Sequence, residues 1–205
     1  KQILKMMKIN KSYFNNKKIL DSGCGPGRYI MHMLKYKPLK IIGIDSGKSI
    51  IRQNKIRFKK FKNVEFICGD LRRLPFKKNE FDFIISAGVL HHVSPNIAKL
   101  IHDHSRALKK GGNLFIFIAG KGGQELELWK FCREVFRDVN IEKVFNKLKN
   151  KISPLRLQGI LDHGYGEYVE TSINDFEKIL KNKFSNIKIV KGVDGADVTK
   201  HLFRK

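Results

Sequence analysis

Three glycines at alternate positions follow a carboxylate in the segment from Ile19 to Gly27, which reads ILDSGCGPG. Glycine has no Cβ, so the backbone of such a turn can bend sharply and lie close to a ligand. An apolar run precedes Asp21, and the residues from Arg28 onward can form a helix. This order is typical of the nucleotide-binding corner of a doubly wound α/β sheet. Taken alone, the turn is also compatible with a tight connection that binds no ligand.

Three further apolar runs end in carboxylates or in small, polar residues. Asp45 closes the first of them, 18 residues after Gly27, which is close to the spacing at which an acidic residue meets a ribose in dinucleotide sites. Asp70 follows the next run, and the last run ends in Ser86 and Ala87. Strand ends of this kind lie where open α/β sheets bind their ligands. The four features together predict one binding site at the carboxyl edge of a sheet.

The order of these features, over about residues 17–119, resembles the class I S-adenosylmethionine-dependent methyltransferases. The stretch 106–116 is similar to that family's helix, glycine turn and fifth strand, and the stretch 89–93, VLHHV, resembles its small-molecule branch, which includes ubiquinone- and menaquinone-type enzymes. The resemblance implies an α/β, Rossmann-like fold with a seven-stranded, mostly parallel sheet and helices on both faces. It also implies that the last strand inserts antiparallel beside strand 5.

The resemblance further implies that S-adenosylmethionine is the cofactor and S-adenosylhomocysteine the product. Asp21, Gly23 and Gly25 would line the methionine end, Asp45 would hold the ribose hydroxyls, and Asp70 would accept from the adenine amino group. The other residues that the resemblance assigns to cofactor binding are Ser22, Cys24, Gly27, Ser46, Gly69, Leu71, Ser86 and Ala87. S-adenosylmethionine carries no phosphate, which agrees with the absence of a complete Gly-x-x-x-x-Gly-Lys-Ser/Thr phosphate loop from the sequence.

Histidines near the fourth strand are the candidates for acid–base chemistry. Methyl transfer from a sulfonium is an in-line displacement, so the protein mainly positions the acceptor, and a general base helps when the acceptor is a hydroxyl. His91 and His92 follow strand 4, and one of them is expected to face the pocket; the alternative is a packing pair that begins the next helix. His163 is the second candidate base. The candidate substrate contacts are Tyr165, Tyr168 and Arg156.

The chain is predicted to be a single domain with three parts. Residues 1–119 form the cofactor-binding half, in which the first sixteen residues are expected to lie over the cofactor. Residues 120–170 form a helical cap, inserted after strand 5, that covers the substrate site; the alternative is that its aromatic stripe only packs on the sheet. Residues 171–205 supply the last helix and strands.

The helix before strand 5 has clear boundary signals in the sequence. Ser94 is predicted to cap its start and Pro95 to occupy its first position. Gly111 is predicted to end it, with strand 5 beginning at Asn113. His104 on this helix is expected to lie away from the chemistry.

Composition excludes several function classes and leaves the acceptor open. The three cysteines are widely spaced and form no metal or disulfide pattern, and no metal site is predicted. No apolar run is long enough to span a membrane, and no secretory signal pattern is recognised. The widely spaced cysteines favour a reducing compartment, so a cytoplasmic location is expected. The net charge is +23, from 42 Lys and Arg against 19 acidic residues, and 32 of the 42 are Lys. The positive charge has two possible explanations, an anionic partner or a general bias of the composition toward lysine. The oligomeric state is not predicted.

Three functions are compatible with these observations. The first is a methyltransferase that acts on a small molecule, with anionic acceptors among the candidates. The second is an RNA or other nucleic-acid methyltransferase, which is supported by the charge alone. The sequence has no Asn/Asp-Pro-Pro-Tyr/Phe block after strand 4, which argues against one branch of base-methylating enzymes. The third is a cofactor-binding protein that has lost catalysis and serves as a partner subunit.

Overall fold

The computed structural model describes residues 10–118, 120, 124–153, 157, 160–161, 164–165, 169–191 and 199–204. The strands are β1 (Lys18–Ser22), β2 (Lys40–Asp45), β3 (Val64–Cys68), β4 (Phe81–Ala87), β5 (Leu108–Ile118), β6 (Asn186–Lys191) and β7 (Thr199–Arg204). The α-helices are α1 (Arg28–Met33), α2 (Lys48–Arg57), α3 (Ile97–Ala107), α4 (Gln124–Phe136), α5 (Ile141–Leu148) and α6 (Ile173–Lys181).

All of these strands belong to one sheet, in the order β3-β2-β1-β4-β5-β7-β6. The strands β1 to β5 pair in parallel, and β7 pairs antiparallel with both β5 and β6. The expected antiparallel insertion beside strand 5 is therefore confirmed. The central strands β1, β2 and β4 are buried along most of their length, which follows from their continuous apolar sequences and from helices that cover both faces.

Two hydrophobic clusters pack on opposite faces of the sheet. On one face, Ile30 of α1 and Ile51 of α2 pack with alternate residues of the strands, such as Phe83. On the other face, Leu100 of α3 and Phe176 of α6 pack against the intervening strand residues. The alternation of side chains along each strand thus divides the apolar runs between two cores. This α/β arrangement brings the carboxyl ends of β1, β2, β3 and β4 to one edge of the sheet.

Helix α3 differs from the sequence prediction at both its start and its end. The helix begins at Ile97, because the Asn96 side chain caps it by accepting from the Lys99 amide at 3.0 Å. Ser94 is not the cap; its hydroxyl accepts from the Asn96 amide at 3.1 Å and orders the preceding turn. Ser94 and Asn96 are both residue types that can cap a helix, and Asn96 is the one that caps α3.

Strand β5 begins directly after the helix, at Leu108, and Gly111 does not end the helix. The backbone amides of Asn79 and Glu80 donate to the carbonyls of Arg106 and Ala107, so the chain before β4 already satisfies the helix terminus. The ladder between β4 and β5 contains an irregularity, at which Gly111 has a φ of 76°. The glycine signal in the sequence therefore marks a bulge within the strand.

The described part of the amino-terminal segment lies at the edge of the sheet opposite the carboxyl strand ends. Residues Lys11–Phe14 form a 3₁₀-helix. The Phe14 ring meets the Phe83 ring edge-on at 5.0 Å, and the Tyr13 hydroxyl donates to the carbonyl of Asp82, at the start of β4, at 3.0 Å. The expectation that residues 10–16 lie over the cofactor is therefore wrong, because their aromatic side chains complete the core at the amino ends of the strands. Residues 1–9 lie outside the described residues.

The region after β5 contains the expected helices α4 and α5. Asn140 separates them, and its side chain accepts from the amides of Glu142 and Lys143. The Phe136 ring of α4 stacks on Tyr165 with ring centroids 5.7 Å apart, which ties α4 to the segment that precedes α6. Among the described residues, the helices are all too short or too polar to cross a membrane.

Candidate cofactor and active site

A pocket of about 350 Å³ lies at the carboxyl ends of the parallel strands. Its size falls within the range of small-molecule sites. The residues that line it are Gly23, Asp45, Ser46, Asp70, Leu71, Arg72, Val89, His92 and Val93. It therefore joins the glycine turn, the end of β2, the segment after β3 and the turn after β4. Six of these residues were predicted from the sequence, while Arg72, Val89 and Val93 were not assigned to the site.

The glycine turn needs its first glycine for two reasons. Gly23 has a φ of 76°, and a Cβ at this position would lie 2.5 Å from two carbons of Val89. The amides of Gly23 and Cys24 both donate to the carbonyl of Ile44, at 2.9 and 3.0 Å. The turn is thus fastened to the end of β2 and packed closely against the turn after β4. Only a residue without a side chain fits there.

Asp45 is held in a fixed orientation by two backbone amides. Its Oδ2 accepts from the Gly25 amide at 2.9 Å, and its Oδ1 accepts from the Gly47 amide at 3.0 Å. A carboxylate oxygen has more than one lone pair, so each oxygen can accept a further hydrogen bond. Because Asp45 also lines the pocket, its geometry is suited to the two vicinal hydroxyls of a ribose.

Asp21 lies beneath the glycine turn and is nearly completely buried. Its Oδ2 finds no hydrogen-bond partner among the described residues. Burial, followed by the nearby charge of Asp45, raises the pKa of Asp21 to about 7. An orphaned carboxylate oxygen in this position is suited to a cationic ligand group, because an ammonium would both donate to it and stabilise its charge. Asp21 is not among the residues that line the pocket, so its fit to the amino-acid end of S-adenosylmethionine rests on the chemistry of this oxygen.

Asp70 faces the pocket together with an arginine that the sequence analysis did not assign to it. The Arg72 Nε atom lies 2.8 Å from Asp70 Oδ2, and the Arg72 amide donates to Asp70 Oδ1 at 2.9 Å. These hydrogen bonds lower the pKa of Asp70. The carboxylate is therefore ionised and oriented, and an adenine amino group would share it with the guanidinium. The Arg72-Arg73 pair in the sequence was the available signal for this arrangement.

The two histidines after β4 lie in different environments. His92 lines the pocket, whereas His91 is buried with 3% of its surface exposed. Their ring centroids are 4.1 Å apart, and the His91 carbonyl accepts from the Val169 amide at 2.8 Å. His91 thus packs in the interior beside the segment that precedes α6. His92 is the histidine that a ligand in this pocket would meet.

Several predicted cofactor residues turn their side chains into the protein. The Cys24 thiol is buried near the Asn54 amide, and burial raises its pKa. The Ser86 hydroxyl donates to the Ser22 carbonyl at 3.1 Å, with both residues fully buried. These residues can present only backbone groups to a ligand. Gly27, the N-cap residue directly before α1, likewise has only backbone groups to present.

The predicted residues of the cap are only partly described. Tyr165 stacks on Phe136 and its hydroxyl is buried, without a hydrogen-bond partner among the described residues. Tyr165 is not among the residues that line the pocket. His163, Arg156 and Tyr168 lie outside the described residues. Within the described ranges, no cluster of His, Cys, Asp and Glu could hold a metal ion.

Known proteins share both the sequence pattern and the fold. Residues 19–112 match the family described as a methyltransferase domain. A tRNA U34 carboxymethyltransferase from Campylobacter curvus is 34% identical over 104 residues, which cover 50% of this chain and 34% of that protein. A demethylmenaquinone methyltransferase from Staphylococcus saprophyticus is 28% identical over 114 residues, which cover 55% of this chain and 47% of that protein. This chain thus matches less than half the length of each of these relatives.

The fold has close counterparts among solved structures. An S-adenosylmethionine-dependent methyltransferase from Mesorhizobium loti superposes with a TM-score of 0.69, covering 100% of this chain and 96% of that chain. At 13% identity this likeness concerns the fold alone. The matched domain, however, begins in β1 and extends into β5, and so contains the glycine turn and all the residues that line the pocket. Residues 19–112 therefore match a methyltransferase domain, and the sequence pattern around the pocket resembles the class I S-adenosylmethionine-dependent methyltransferases.

Proposed function

We propose that this protein binds S-adenosylmethionine in the pocket described above and transfers its methyl group to a small-molecule acceptor. The observation that carries the proposal is the set of three carboxylates at one edge of the sheet. Asp45 is oriented by two amides, Asp70 is oriented by Arg72, and Asp21 is buried with an orphaned oxygen. Two acidic groups that line the pocket, with a third buried beneath its glycine turn, suit a cofactor that carries a diol, an amine and a cationic centre, and no phosphate.

Each of these residues has one role in the proposed reaction. When bound, the cofactor supplies an electrophilic methyl group. Asp21 accepts from the ammonium, Asp45 accepts from the ribose hydroxyls, and Asp70 accepts from the adenine amino group. Val89 packs on Gly23 and closes the pocket beside the turn. His92, at the pocket wall, accepts the proton of an acceptor hydroxyl and so raises the nucleophilicity of the oxygen.

The helices after β5 are proposed to form the wall on the acceptor side. Strand β5 leads into α4 at the same edge of the sheet as the pocket, and α4 is held to the segment before α6. Lys130 contributes to this attachment, because its Nζ lies 3.1 Å from a carboxylate oxygen of Glu170. One relative is named a demethylmenaquinone methyltransferase, and this favours a small-molecule acceptor that binds against this wall.

Calorimetric titration with S-adenosylhomocysteine tests the cofactor site. We expect wild-type protein to bind the ligand, and we expect Asp45→Ala to weaken binding by about tenfold to a hundredfold, because two hydrogen bonds to a charged acceptor are lost. Glu65→Ala is the matched control, since Glu65 is an exposed carboxylate that pairs with Lys40 at the sheet edge. A folded wild-type protein that binds neither S-adenosylmethionine nor S-adenosylhomocysteine would contradict the proposal and favour the partner-subunit alternative.

Turnover assays test the proposed base. With a hydroxyl acceptor, His92→Ala should lower kcat by about 100-fold, which is typical of a lost general base, and leave cofactor affinity nearly unchanged. His32→Ala is the matched control, because His32 is an exposed histidine on α1. Full turnover by the His92 variant would mean that positioning alone drives the reaction.

A nucleic-acid acceptor is the second candidate function. It is favoured by the net charge of +23 and by the relative that is named as acting on tRNA. RNA binding that weakens steeply between low and physiological salt, together with methyl transfer to RNA, would favour it. Methyl transfer to small acceptors in the presence of excess RNA, without competition, would favour the small-molecule proposal.

A further inference from the structure

A buried hydrogen bond joins the end of β1 to α3, directly beneath the glycine turn. The Ser22 Oγ atom lies 2.8 Å from His104 Nε2, and neither residue has any exposed surface. Ser22 is the residue between Asp21 and Gly23, both of which belong to the cofactor site. The sequence analysis expected His104 to lie away from the chemistry, but the structure places it one contact away from the site.

The protonation of this pair follows from its surroundings. The His104 Nδ1 atom lies 2.6 Å from the carbonyl of Leu100, which can only accept, so Nδ1 carries the proton. Burial lowers the pKa of His104, and the ring is therefore neutral. In the neutral ring Nε2 can only accept, so the Ser22 hydroxyl donates to it. The direction of both hydrogen bonds is thus fixed.

Ser22 is held from a second side through its main chain. The Ser86 hydroxyl donates to the Ser22 carbonyl at 3.1 Å, in addition to the pairing of β1 with both of its neighbours. The side chain of Ser22 is therefore fastened to α3 and its carbonyl to β4. The peptide units on either side of Ser22 lead to the Asp21 carboxylate and to the backbone of Gly23.

We propose that His104 is a positioning residue, which acts through Ser22 to fix the junction between β1 and the glycine turn in the geometry that binds the cofactor. This inference rests on the proposed function, because its consequence is cofactor affinity. Packing alone does not require a buried hydrogen-bonded pair at this position. Two apolar side chains would fill the same space without burying two polar groups that each need a hydrogen-bond partner.

Amide hydrogen exchange without any ligand tests the first half of the inference. In His104→Leu, the amides of Cys24 and Gly25 should exchange at least about tenfold faster than in wild type, because the turn loses its fixed anchor. The amides of Ile84 and Leu114, at the centre of the sheet, should keep their protection. Equal acceleration at both places would mean a general loss of stability, and unchanged exchange in the turn would overturn the inference.

Titration with S-adenosylhomocysteine tests the second half. His104→Leu and the smaller change Ser22→Ala should each raise Kd by about tenfold, and the double variant should bind no more weakly than either single one. His104→Gln should restore much of the affinity, because its amide oxygen can accept from Ser22. Wild-type affinity in folded Ser22→Ala would overturn the inference even if His104→Leu failed to fold.

The two proposals fail in different ways. If wild-type protein does not bind S-adenosylhomocysteine, the proposed function fails, and the role of His104 in cofactor binding fails with it. If wild type binds and the Ser22 and His104 variants bind equally well, only the positioning role is overturned. Faster exchange in the turn with unchanged affinity would likewise overturn it, since the junction would then not govern binding.

Discussion

The carboxyl of Asp21 should make the unliganded protein less stable as the pH rises. Folding takes this group out of water, and burial raises its pKa from 3.8 to about 7. Between these values the folded protein holds a proton that the unfolded chain has released. The free energy of unfolding therefore decreases with increasing pH across this interval. Replacing Asp21 by Asn removes the titrating group and should remove the decrease.

The size of the effect follows from the shift in pKa. Each pKa unit corresponds to about 1.4 kcal/mol, so a shift of about three units is about 4 kcal/mol of stability lost between pH 4 and pH 8. About 3 kcal/mol of this loss falls between pH 5 and pH 8. Asp21→Asn should thus gain about 3 kcal/mol relative to wild type over that range, while it loses cofactor affinity because the carboxylate is gone.

Urea unfolding of wild type and Asp21→Asn at several pH values between 5 and 8 provides the assay. Asp82→Asn is the control. Burial raises the pKa of Asp82, but hydrogen bonds from the Lys18 amide and from Lys109 outweigh burial and lower the pKa, so this group titrates below the range tested. Its difference from wild type should be flat over the same pH values. A difference between Asp21→Asn and wild type that does not change with pH would refute the reasoning.

Three further predictions concern the same edge of the sheet and its opposite. Gly23→Ala should lower the unfolding free energy, measured by urea denaturation, by about 2–4 kcal/mol, because the new Cβ would collide with Val89 and the backbone there has a left-handed φ. Gly25→Ala should cost less, because a Cβ at that position meets open space. Because burial lowers the pKa of His104, wild type should lose stability relative to His104→Gln as the pH falls below 6.5; parallel curves would contradict this. Phe14→Ala should lower stability by about 3–5 kcal/mol and leave S-adenosylhomocysteine affinity unchanged, and a weakened affinity would place the amino-terminal segment at the site.

The parts of the site that the sequence predicted are those in which residue type and local position suffice. Asp45 and Asp70 follow apolar runs, and parallel pairing then brings them to one edge. Val89 reaches the pocket only through the packing of the turn after β4 on the glycine turn, which no local pattern contains. Arg72 lies only two residues after Asp70, and its pairing with that carboxylate was overlooked. The bulge at Gly111 was missed for a similar reason, since a glycine near a helix end is compatible with a cap or a bulge until the partner strand is known.

His104 is different, because the sequence did contain a signal for it. It lies four residues after Leu100 and three after Ile101, on the buried stripe of α3. Ser22 is likewise a polar residue at the end of an apolar strand. Two polar residues on two buried surfaces predict that they are partners, because an unpaired one would be costly. His104 was predicted only to lie away from the chemistry, and its pairing with Ser22 was overlooked.

The position of β7 between β5 and β6 has a consequence for how the protein is made. Strand β5 is complete at Ile118, yet the strand that covers its edge begins only at Thr199. At a synthesis rate of about 5–20 residues per second, the edge of β5 waits about 4–20 seconds for its partner. During this time a strand rich in aromatic and branched residues has unpaired backbone groups on one side. The nascent chain is therefore most exposed to aggregation after its ligand pocket has been synthesised and before its sheet is closed.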